Sequence, residues 1–414
     1  MRAVCNRGQR LSTIRVGEFV RQFVRMRGVF SSTIVFLLCA PAVAGPGTAP
    51  VVGGTNAPQG KWPDVAAVLF GGQQECTGTL IAPNVVITAG HCNDAALNQV
   101  LLGTNSLARP QDGETVAVTQ RIEYPNSQTS EDVTILVLGK NAAEEPRKLA
   151  TGWAKVDIKN GAAVQFVGFG ATDVNGNVYI DDLQEVMSTI TDFDCSVKSG
   201  CNTAARPDGE LGAGGMGIDT CSGDSGGPMY LLTSYGNFLA GVTSRSYDDS
   251  VKPCGDGGIY ERPDKIVDWA EQQTGISLAR GPEPSPRVLA GVPTGPVEVH
   301  LDANDPLSDD HSYALTTPPA HGMAAVRDDG QVRVCLDASA APDTLTVTIT
   351  DKKDSSRKLA WEMQIQPMSG EAPASCDPNA FTGEDSGGCC DAGRSPAGSL
   401  PLALGVLIVL RRRR

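Results

Sequence analysis

The chain has 414 residues and a formal net charge of −13, and its length suits more than one domain. Residues 1–50 hold seven arginines and one acid, whereas the body that follows is strongly acidic, which argues against nucleic-acid binding. With 12 cysteines and only 4 histidines, the composition favours disulfides over metal ligands, and it predicts neither a metal site nor a cofactor.

The N-terminal segment, residues 1–44, is predicted to be a signal peptide. It has arginines at 25 and 27, an apolar run over 29–38, and the sequence Ala42-Val43-Ala44, which suits signal-peptidase cleavage. The apolar run is short for a transmembrane anchor. Met26 is an alternative start, because the basic residues before it match no fold that we can name.

Short apolar runs predict β-strands in the next part of the chain, over 65–70, 78–81 and 85–87. They lead into Thr88-Ala89-Gly90-His91-Cys92. His91 is the only histidine between residues 51 and 273, so this region has no other candidate for a histidine base that works near neutral pH.

An acidic residue opens the next predicted strand, in Glu131-Asp132-Val133-Thr134-Ile135-Leu136-Val137-Leu138. An acid before a strand is common on protein surfaces, so this signal alone is weak. The rival acids Glu131, Asp112 and Asp94 do not begin such a strand, and Asp132 is therefore the preferred candidate.

The most distinctive stretch is Asp219-Thr220-Cys221-Ser222-Gly223-Asp224-Ser225-Gly226-Gly227-Pro228. Glycines and a proline around Ser225 suit a tight turn that exposes a hydroxyl group. The backbone N–H groups of Gly223 and Ser225 are candidates for an oxyanion hole. A plain Gly-rich surface turn is the simpler alternative, but the length of the string argues against it. The order His91, Asp132, Ser225 is the chymotrypsin order.

These strings resemble the trypsin-like serine proteases of the chymotrypsin fold over residues 51–275. The resemblance implies an all-β domain of two six-stranded antiparallel β-barrels with a C-terminal helix, for which 263–273 is the candidate. It also implies a serine endopeptidase. Ser225 would be the nucleophile, His91 the general base and then acid, and Asp132 the residue that orients His91.

The same resemblance places Asp219 on the floor of the S1 pocket, where a carboxylate would select Arg or Lys at P1. The remaining pocket residues would be Thr220, Ser244, Ser246 and Gly258. Two positions depart from the family pattern, because Ser244-Arg245-Ser246 replaces Ser-Trp-Gly. Ser246 is expected to narrow the pocket, and Arg245 to remove an aromatic platform from the S2–S4 sites.

Family disulfides are implied for Cys76–Cys92, Cys195–Cys201 and Cys221–Cys254. Val51-Val52-Gly53-Gly54 resembles the mature N-terminus of the family, which makes residues 45–50 a short pro-segment. In the family, the freed α-amino group pairs with the acid before the nucleophile, here Asp224. Pro50 departs from the Arg or Lys after which family zymogens are usually cut, so a separate activating protease is expected.

Beyond the protease-like region, residues 276–294 are predicted to be a linker and residues 295–367 a small β-sandwich. Leu345, Val347 and Ile349 alternate with threonines, and Asp329-Gly330 between apolar runs indicates a hairpin. With Pro319-Ala320-His321-Gly322, this region resembles bacterial Ig-like or cadherin-like repeats. An aspartate cluster allows calcium, although a solvated acidic loop is the simpler interpretation; it comprises Asp302, Asp305, Asp309 and Asp310.

The C-terminal part is predicted to be a flexible linker over 368–395 and a short hydrophobic helix with an arginine tail over 396–414. Ser386 lies in a string that mimics the Ser225 loop, but no predicted core strands surround it, so we interpret it as linker. Cys389-Cys390 before the apolar run resembles a bacterial C-terminal sorting signal of the myxobacterial type. A plain tail anchor is the alternative.

The sequence therefore predicts a secreted or surface-attached bacterial serine endopeptidase that acts on proteins or peptides. Its other partners would be an activating protease, a C-terminal sorting enzyme and, through the C-terminal segment, the membrane. The alternative is a catalytically weak homologue that serves as a surface binding or adhesion protein. The complete set of His91, Asp132 and Ser225 favours the enzyme.

Overall fold

This computed structural model describes residues 51–206, 208–292, 296–337, 341–367 and 376–382. The predicted signal peptide, pro-segment and C-terminal sorting signal lie outside these residues. Within them, no helix has the length and apolar character needed to cross a bilayer.

The first barrel is closed by six antiparallel strands that pair in the order β2-β3-β4-β7-β6-β5. A short strand, β1 (Thr55–Asn56), precedes them. The six strands are β2 (Val65–Phe70), β3 (Gln73–Ala82), β4 (Val85–Ala89), β5 (Leu97–Leu102), β6 (Glu114–Glu123) and β7 (Val133–Leu138).

Strand β2 is buried on both faces, which explains its unbroken apolar sequence. Because successive side chains of a strand point to opposite faces, Val65 and Ala67 pack in one hydrophobic cluster and Ala66 and Val68 in another. The second cluster is the interior of the first barrel. The first cluster also contains Phe169 and residues of the second barrel, so it joins the two barrels.

The second barrel is closed by strands in the order β8-β9-β10-β13-β12-β11, with β11 pairing back to β8 and β1 added beside β9. Two closed six-stranded antiparallel barrels confirm the predicted fold class. The strands are β8 (Ala163–Gly168), β9 (Gln184–Asp192), β10 (Glu210–Ala213), β11 (Pro228–Thr233), β12 (Gly236–Ser246) and β13 (Gly258–Glu261).

The helices described are short. Helix α1 (Trp153–Val156) lies between the barrels in sequence, and α2 (Val267–Thr274) follows the second barrel. Helix α2 begins later than the predicted 263, because Pro263–Lys265 forms a 3₁₀ turn first. It ends at Gly275, whose φ of +68° gives a left-handed C-terminal cap. Two further 3₁₀ turns are Gly90–Cys92 and Pro110–Asp112.

Two further sheets follow the second barrel and share one hydrophobic core. One has four strands in the order β14-β20-β19-β16, and the other has three in the order β15-β18-β17. We call them the β-domain; its strands are β14 (Val288–Val292), β15 (Val297–His300), β16 (His311–Thr317), β17 (Gly322–Val326), β18 (Gln331–Leu336), β19 (Asp343–Asp351) and β20 (Lys358–Pro367).

The β-domain carries a disulfide, Cys335–Cys376, that the sequence analysis did not identify. Three acids of its aspartate cluster contact side-chain cations. Asp305 accepts hydrogen bonds from Arg357, while Asp309 and Asp310 face lysines of the β19–β20 turn. Asp305, Asp309 and Asp310 thus have side-chain cations as partners, and the Asp305 side chain is buried rather than solvated.

The β-domain packs directly on the second barrel. Trp153 of α1 is fully buried in the β-domain core, and its indole N–H donates to the Ala303 carbonyl at 2.6 Å. Arg357 of the β-domain donates to Asp157 at 2.7 Å, and the same aspartate accepts a hydrogen bond from Tyr235 of the barrel. The protease-like region and the β-domain therefore share a buried interface.

Candidate active site

His91 and Asp132 are brought together by strand pairing in the first barrel. Strands β4 and β7 pair with Ala89 opposite Val133, so the residues just beyond the two strand ends become neighbours. The His91 Nδ1 atom lies 2.8 Å from Asp132 Oδ2, and the His91 backbone N–H donates to Asp132 Oδ1 at 2.8 Å. Both carboxylate oxygens of Asp132 therefore hold the histidine in place.

A third hydrogen bond reaches Asp132 from the second barrel. The Ser244 hydroxyl donates to Asp132 Oδ2 at 2.7 Å. Burial alone would raise the pKa of Asp132, but the hydrogen bonds and charge of His91, with the Ser244 hydroxyl, outweigh burial and lower that pKa. The acid beside His91 is thus favoured in its ionised form.

Ser225 lies on the second barrel and faces His91 across a cleft that both side chains line together with Gly223. The Ser225 carbonyl accepts a hydrogen bond from the Thr77 N–H of the first barrel at 2.9 Å. The structure therefore assembles His91, Asp132 and Ser225 at the junction of the two barrels, on a cleft open to solvent.

Gly223 is held in place by two side chains that the sequence analysis missed. Its φ of +95° belongs to the left-handed region, which favours glycine. Its carbonyl accepts hydrogen bonds from Thr77 Oγ1 at 2.8 Å and Gln74 Nε2 at 3.0 Å. Since these contacts fix one face of the residue, they help to orient the adjoining N–H. No local sequence signal marks Gln74 or Thr77 for this task.

A second cavity, with a volume of about 150 Å³, opens beside Ser225. Asp219, Thr220, Ser244, Ser246 and Gly258 all line it, so the structure brings together the residues predicted for the S1 pocket. A side chain at Gly258 would lie 2.8 Å from the Arg245 carbonyl and would not fit. The Ser246 hydroxyl is turned to the Pro253 carbonyl, at 3.0 Å.

Asp219 is buried and lines this cavity. Its carboxylate accepts hydrogen bonds from the N–H groups of Gly255 and Gly257 at 2.9 and 3.0 Å. Burial raises the pKa of Asp219 to about 6, the nearby charge of Asp256 adds to the effect, and the two backbone hydrogen bonds oppose it. A cationic guest in the cavity would stabilise the charged form of this carboxylate.

Asp224 is also fully buried, next to Ser225 in sequence. Its carboxylate accepts hydrogen bonds from the N–H groups of Gly170 at 2.8 Å and Cys221 at 2.9 Å. Burial raises the pKa of Asp224 to about 7. No side-chain cation contacts this carboxylate among the residues that the structure describes. Val51 is also fully buried, and its φ of +33° is unusual for a β-branched residue.

Arg245 does not cover the cleft as an aromatic residue would. Its guanidinium turns inward and donates to Glu210 Oε1 at 2.7 Å and to the Gly200 carbonyl at 2.8 Å. Glu261 Oε1 lies 3.4 Å away. Only 30% of the Arg245 side chain is exposed, and both glutamates are fully buried. Neither glutamate was predicted from the sequence.

Three disulfides surround the site, and they join the cysteines named in the sequence analysis. Cys76–Cys92 ties β3 to the 3₁₀ turn that carries His91, Cys221–Cys254 lies beside the Asp219 cavity, and Cys195–Cys201 closes a short loop. With the disulfide of the β-domain, four are present in the described part of the chain. Several structural disulfides are typical of proteins in oxidising, extracellular compartments.

Comparisons with known proteins identify serine proteases as relatives of this chain. Human serine protease 56 is 31% identical over 290 residues, which are 66% of this chain and 46% of that protein. The chain therefore spans less than half the length of this relative. Trypsin of Saccharopolyspora erythraea is 34% identical over 54% of this chain and 97% of its own length. Brachyurin of Leptuca pugilator is 28% identical over 55% of this chain and all of its own length.

Among solved structures, the mouse serine protease neuropsin is 27% identical, with a TM-score of 0.46, over 53% of this chain and 98% of its own. The family profile named Trypsin matches residues 51–270. That match covers more than half of the chain and includes every group of the site described above. The protein therefore belongs to the trypsin family of serine proteases.

Proposed function

We propose that the protein is a serine endopeptidase that hydrolyses peptide bonds through an acyl-enzyme. The observation that carries the proposal is the contact of His91 Nδ1 with Asp132 at 2.8 Å, on a cleft that His91 shares with Ser225. In this arrangement the imidazole is oriented by a carboxylate and its other nitrogen remains available to a hydroxyl group.

The chemistry assigns one task to each residue. Ser225 Oγ attacks the scissile carbonyl and His91 takes its proton, while Asp132 stabilises the imidazolium that forms. The N–H groups of Gly223 and Ser225 stabilise the oxyanion of the tetrahedral intermediate. His91 then returns the proton to the leaving amine, and a water molecule activated by His91 hydrolyses the acyl-enzyme.

We propose Arg or Lys as the P1 residue of the substrate. A buried carboxylate, Asp219, ends a cavity that opens beside Ser225, and Gly258 leaves room for a long side chain. A buried carboxylate that is hydrogen-bonded only to neutral donors is suited to a cationic partner. A relative at 34% identity that bears the name trypsin supports the same choice.

The proposal extends to export and processing. A signal peptide over 1–44, removal of residues 45–50 by an activating protease, and a sorting enzyme that acts on the C-terminal segment would yield a secreted or bacterial surface enzyme. The support is the sequence of both termini together with four disulfides in the described residues. Intact mass and N-terminal sequencing of the exported protein test each cut.

The test of activity uses purified full chain cut at Val51, peptide substrates with Arg or Lys at P1, and a serine-directed phosphonate label. Ser225→Ala and His91→Ala should each lower kcat by about 10⁴-fold or more. Ser386→Ala is a matched control, because it removes the serine of the mimicking string and should leave activity unchanged. Wild-type turnover by Ser225→Ala would contradict the proposal. An unlabelled, inactive wild type would favour the binding-protein alternative.

A further inference from the structure

Arg245 lies next to the catalytic region on β12 and ends among buried carboxyl groups from two other strands. Its Nη2 atom lies 2.7 Å from Oε1 of Glu210 on β10, and its Nη1 atom lies 3.4 Å from Oε1 of Glu261 on β13. Both glutamates are fully buried. Two buried acids around one guanidinium, a few ångströms from a protease triad, require an explanation.

A continuous chain of hydrogen bonds links this cluster to His91. Arg245 Nη1 donates to Ser244 Oγ at 2.9 Å, and Ser244 Oγ donates to Asp132 Oδ2 at 2.7 Å. The same carboxylate oxygen lies 2.8 Å from His91 Nδ1. Because the hydroxyl of Ser244 accepts from the guanidinium, its own proton is directed to Asp132.

The charges of the cluster balance only if Arg245 is present. Asp132, Glu210 and Glu261 are three buried carboxyl groups that face one guanidinium and one imidazole. Burial and the charge of Glu210 raise the pKa of Glu261 well above its usual range. Glu261 Oε2 also has no hydrogen-bond partner among the described residues. The surroundings of Glu261 thus favour its neutral form, and the closer ion pair of Arg245 is with Glu210, at 2.7 Å against 3.4 Å for Glu261.

Of the other charged groups near these residues, Asp219 is buried and lines the same cavity as Ser244 and Arg245, whereas the following four lie on the solvent side. Glu75 and Asp94 line the cleft with His91 and are exposed. Asp248 is exposed beside Gly200, and Lys198 of the same loop lies over the Tyr247 ring at 5.0 Å. Water screens exposed charges far more than buried ones. Glu210, which lies 2.7 Å from the guanidinium, is thus the charge that Arg245 mainly has to offset.

We propose that Arg245 is a positioning residue for the triad, which orients the Ser244 hydroxyl toward Asp132 and offsets the buried charge of Glu210. The inference rests on the proposed peptidase function. Without the guanidinium, the carboxylate of the Arg245–Glu210 ion pair would lose its partner and leave uncompensated negative charge behind Asp132. That charge would favour protonated His91, the form that cannot accept the proton of Ser225.

The experiment measures kcat/KM against pH, and the rate of phosphonate labelling, for full-length chain cut at Val51. Arg245→Met should move the acid limb of the kcat/KM profile, the part that rises with pH, to higher pH. The variant should lose about tenfold in kcat/KM at pH 6 and much less at pH 9. Glu210→Gln should move the limb to lower pH, because the guanidinium then has no counter-charge. The double variant should lie near wild type, and Glu261→Gln should leave the limb unmoved.

Arg147→Gln is the matched control, because Arg147 is another largely buried arginine paired with a carboxylate, Asp64, away from the cleft. It should lower stability and leave the acid limb in place. An unmoved limb in Arg245→Met, or in Glu210→Gln if the arginine variant fails to fold, would overturn the proposal. An inactive wild type would instead refute the peptidase function, so the two failures are distinguishable.

Discussion

Release of the chain at Val51 is expected to switch the enzyme on by giving a buried carboxylate a cationic partner. Asp224 has a pKa of about 7 in the uncut chain, against an ordinary value of 3.8. At roughly 1.4 kcal/mol for each pH unit, ionising Asp224 in the folded, uncut protein costs about 4 kcal/mol. A penalty of this size beside Ser225 is enough to disorder the loop that carries Gly223.

The pH dependence has a definite sign. The folded-state pKa of Asp224 lies above its unfolded value, so its contribution to stability is complete below about pH 3.8 and is lost as the pH rises toward 7. In the cut chain, the Val51 ammonium should pair with the carboxylate and keep the fold stable through neutral pH. An α-amino group has an ordinary pKa of roughly 7.7–8.0, and pairing with Asp224 should raise that pKa, so activity should persist at pH 8 and decline at more alkaline pH.

The assay compares three preparations: chain beginning at Val51, chain retaining residues 45–50, and chain beginning at Val51 with an acetylated amine. Activity at pH 8 should be high only in the first. Urea unfolding at pH 5 and pH 8 should show a loss of stability with rising pH that is larger in the second and third. Equal specific activity in all three would refute the reasoning and would mean that Asp224 has another partner.

Three further outcomes follow from the contacts described. Asp219→Ser should abolish cleavage after Arg and Lys. In the wild type, a benzamidine cation should inhibit more strongly as the pH rises through about 6, because Asp219 ionises in that range. Gly90→Ala would place a Cβ 2.8 Å from Asp132 Oδ1 and 2.7 Å from Ser127 Cβ, so kcat should fall about 10–100-fold. Adding Ser127→Gly to this variant should restore part of the lost kcat. Trp153→Ala should lower the free energy of unfolding by about 3–5 kcal/mol. In calorimetry, the protease region and the β-domain should both melt at a lower temperature. A β-domain that melts unchanged would contradict the shared interface.

The features that the sequence predicted are those carried by short, continuous strings. His91 and Ser225 lie in such strings, which also contain Cys92 and Cys221. Asp132 was preferred over its rivals because it opens a predicted apolar strand. The alternation and clustering of apolar residues predicted the strands, because a strand buried on two faces has to be apolar throughout. Fold class followed from these elements and the resemblance they carried.

The features that the sequence did not predict depend on residues far apart along the chain. Glu210 and Glu261 meet Arg245 because β10 and β12 both pair with β13, and no pattern in the sequence reports that pairing. Gln74 reaches Gly223 only when the two barrels meet. By its position in the sequence, Trp153 belongs to the protease region, but its ring packs in the core of the β-domain. In each case the partner of the side chain is set by tertiary packing.

The site is divided between the two barrels, so its alignment depends on the hydrogen bonds between them. His91 and Asp132 belong to the first barrel, whereas Ser225 and Gly223 belong to the second, so their alignment depends on bonds that cross the junction. Thr77 supplies its N–H to the Ser225 carbonyl and its hydroxyl to the Gly223 carbonyl, and Ser244 donates to Asp132 in the opposite direction. Because proton transfer needs heavy atoms within about 3 Å, a small shift of one barrel against the other would separate His91, the proposed base, from Ser225, the proposed nucleophile. The junction, and not either barrel alone, is therefore the unit that has to be kept rigid for catalysis.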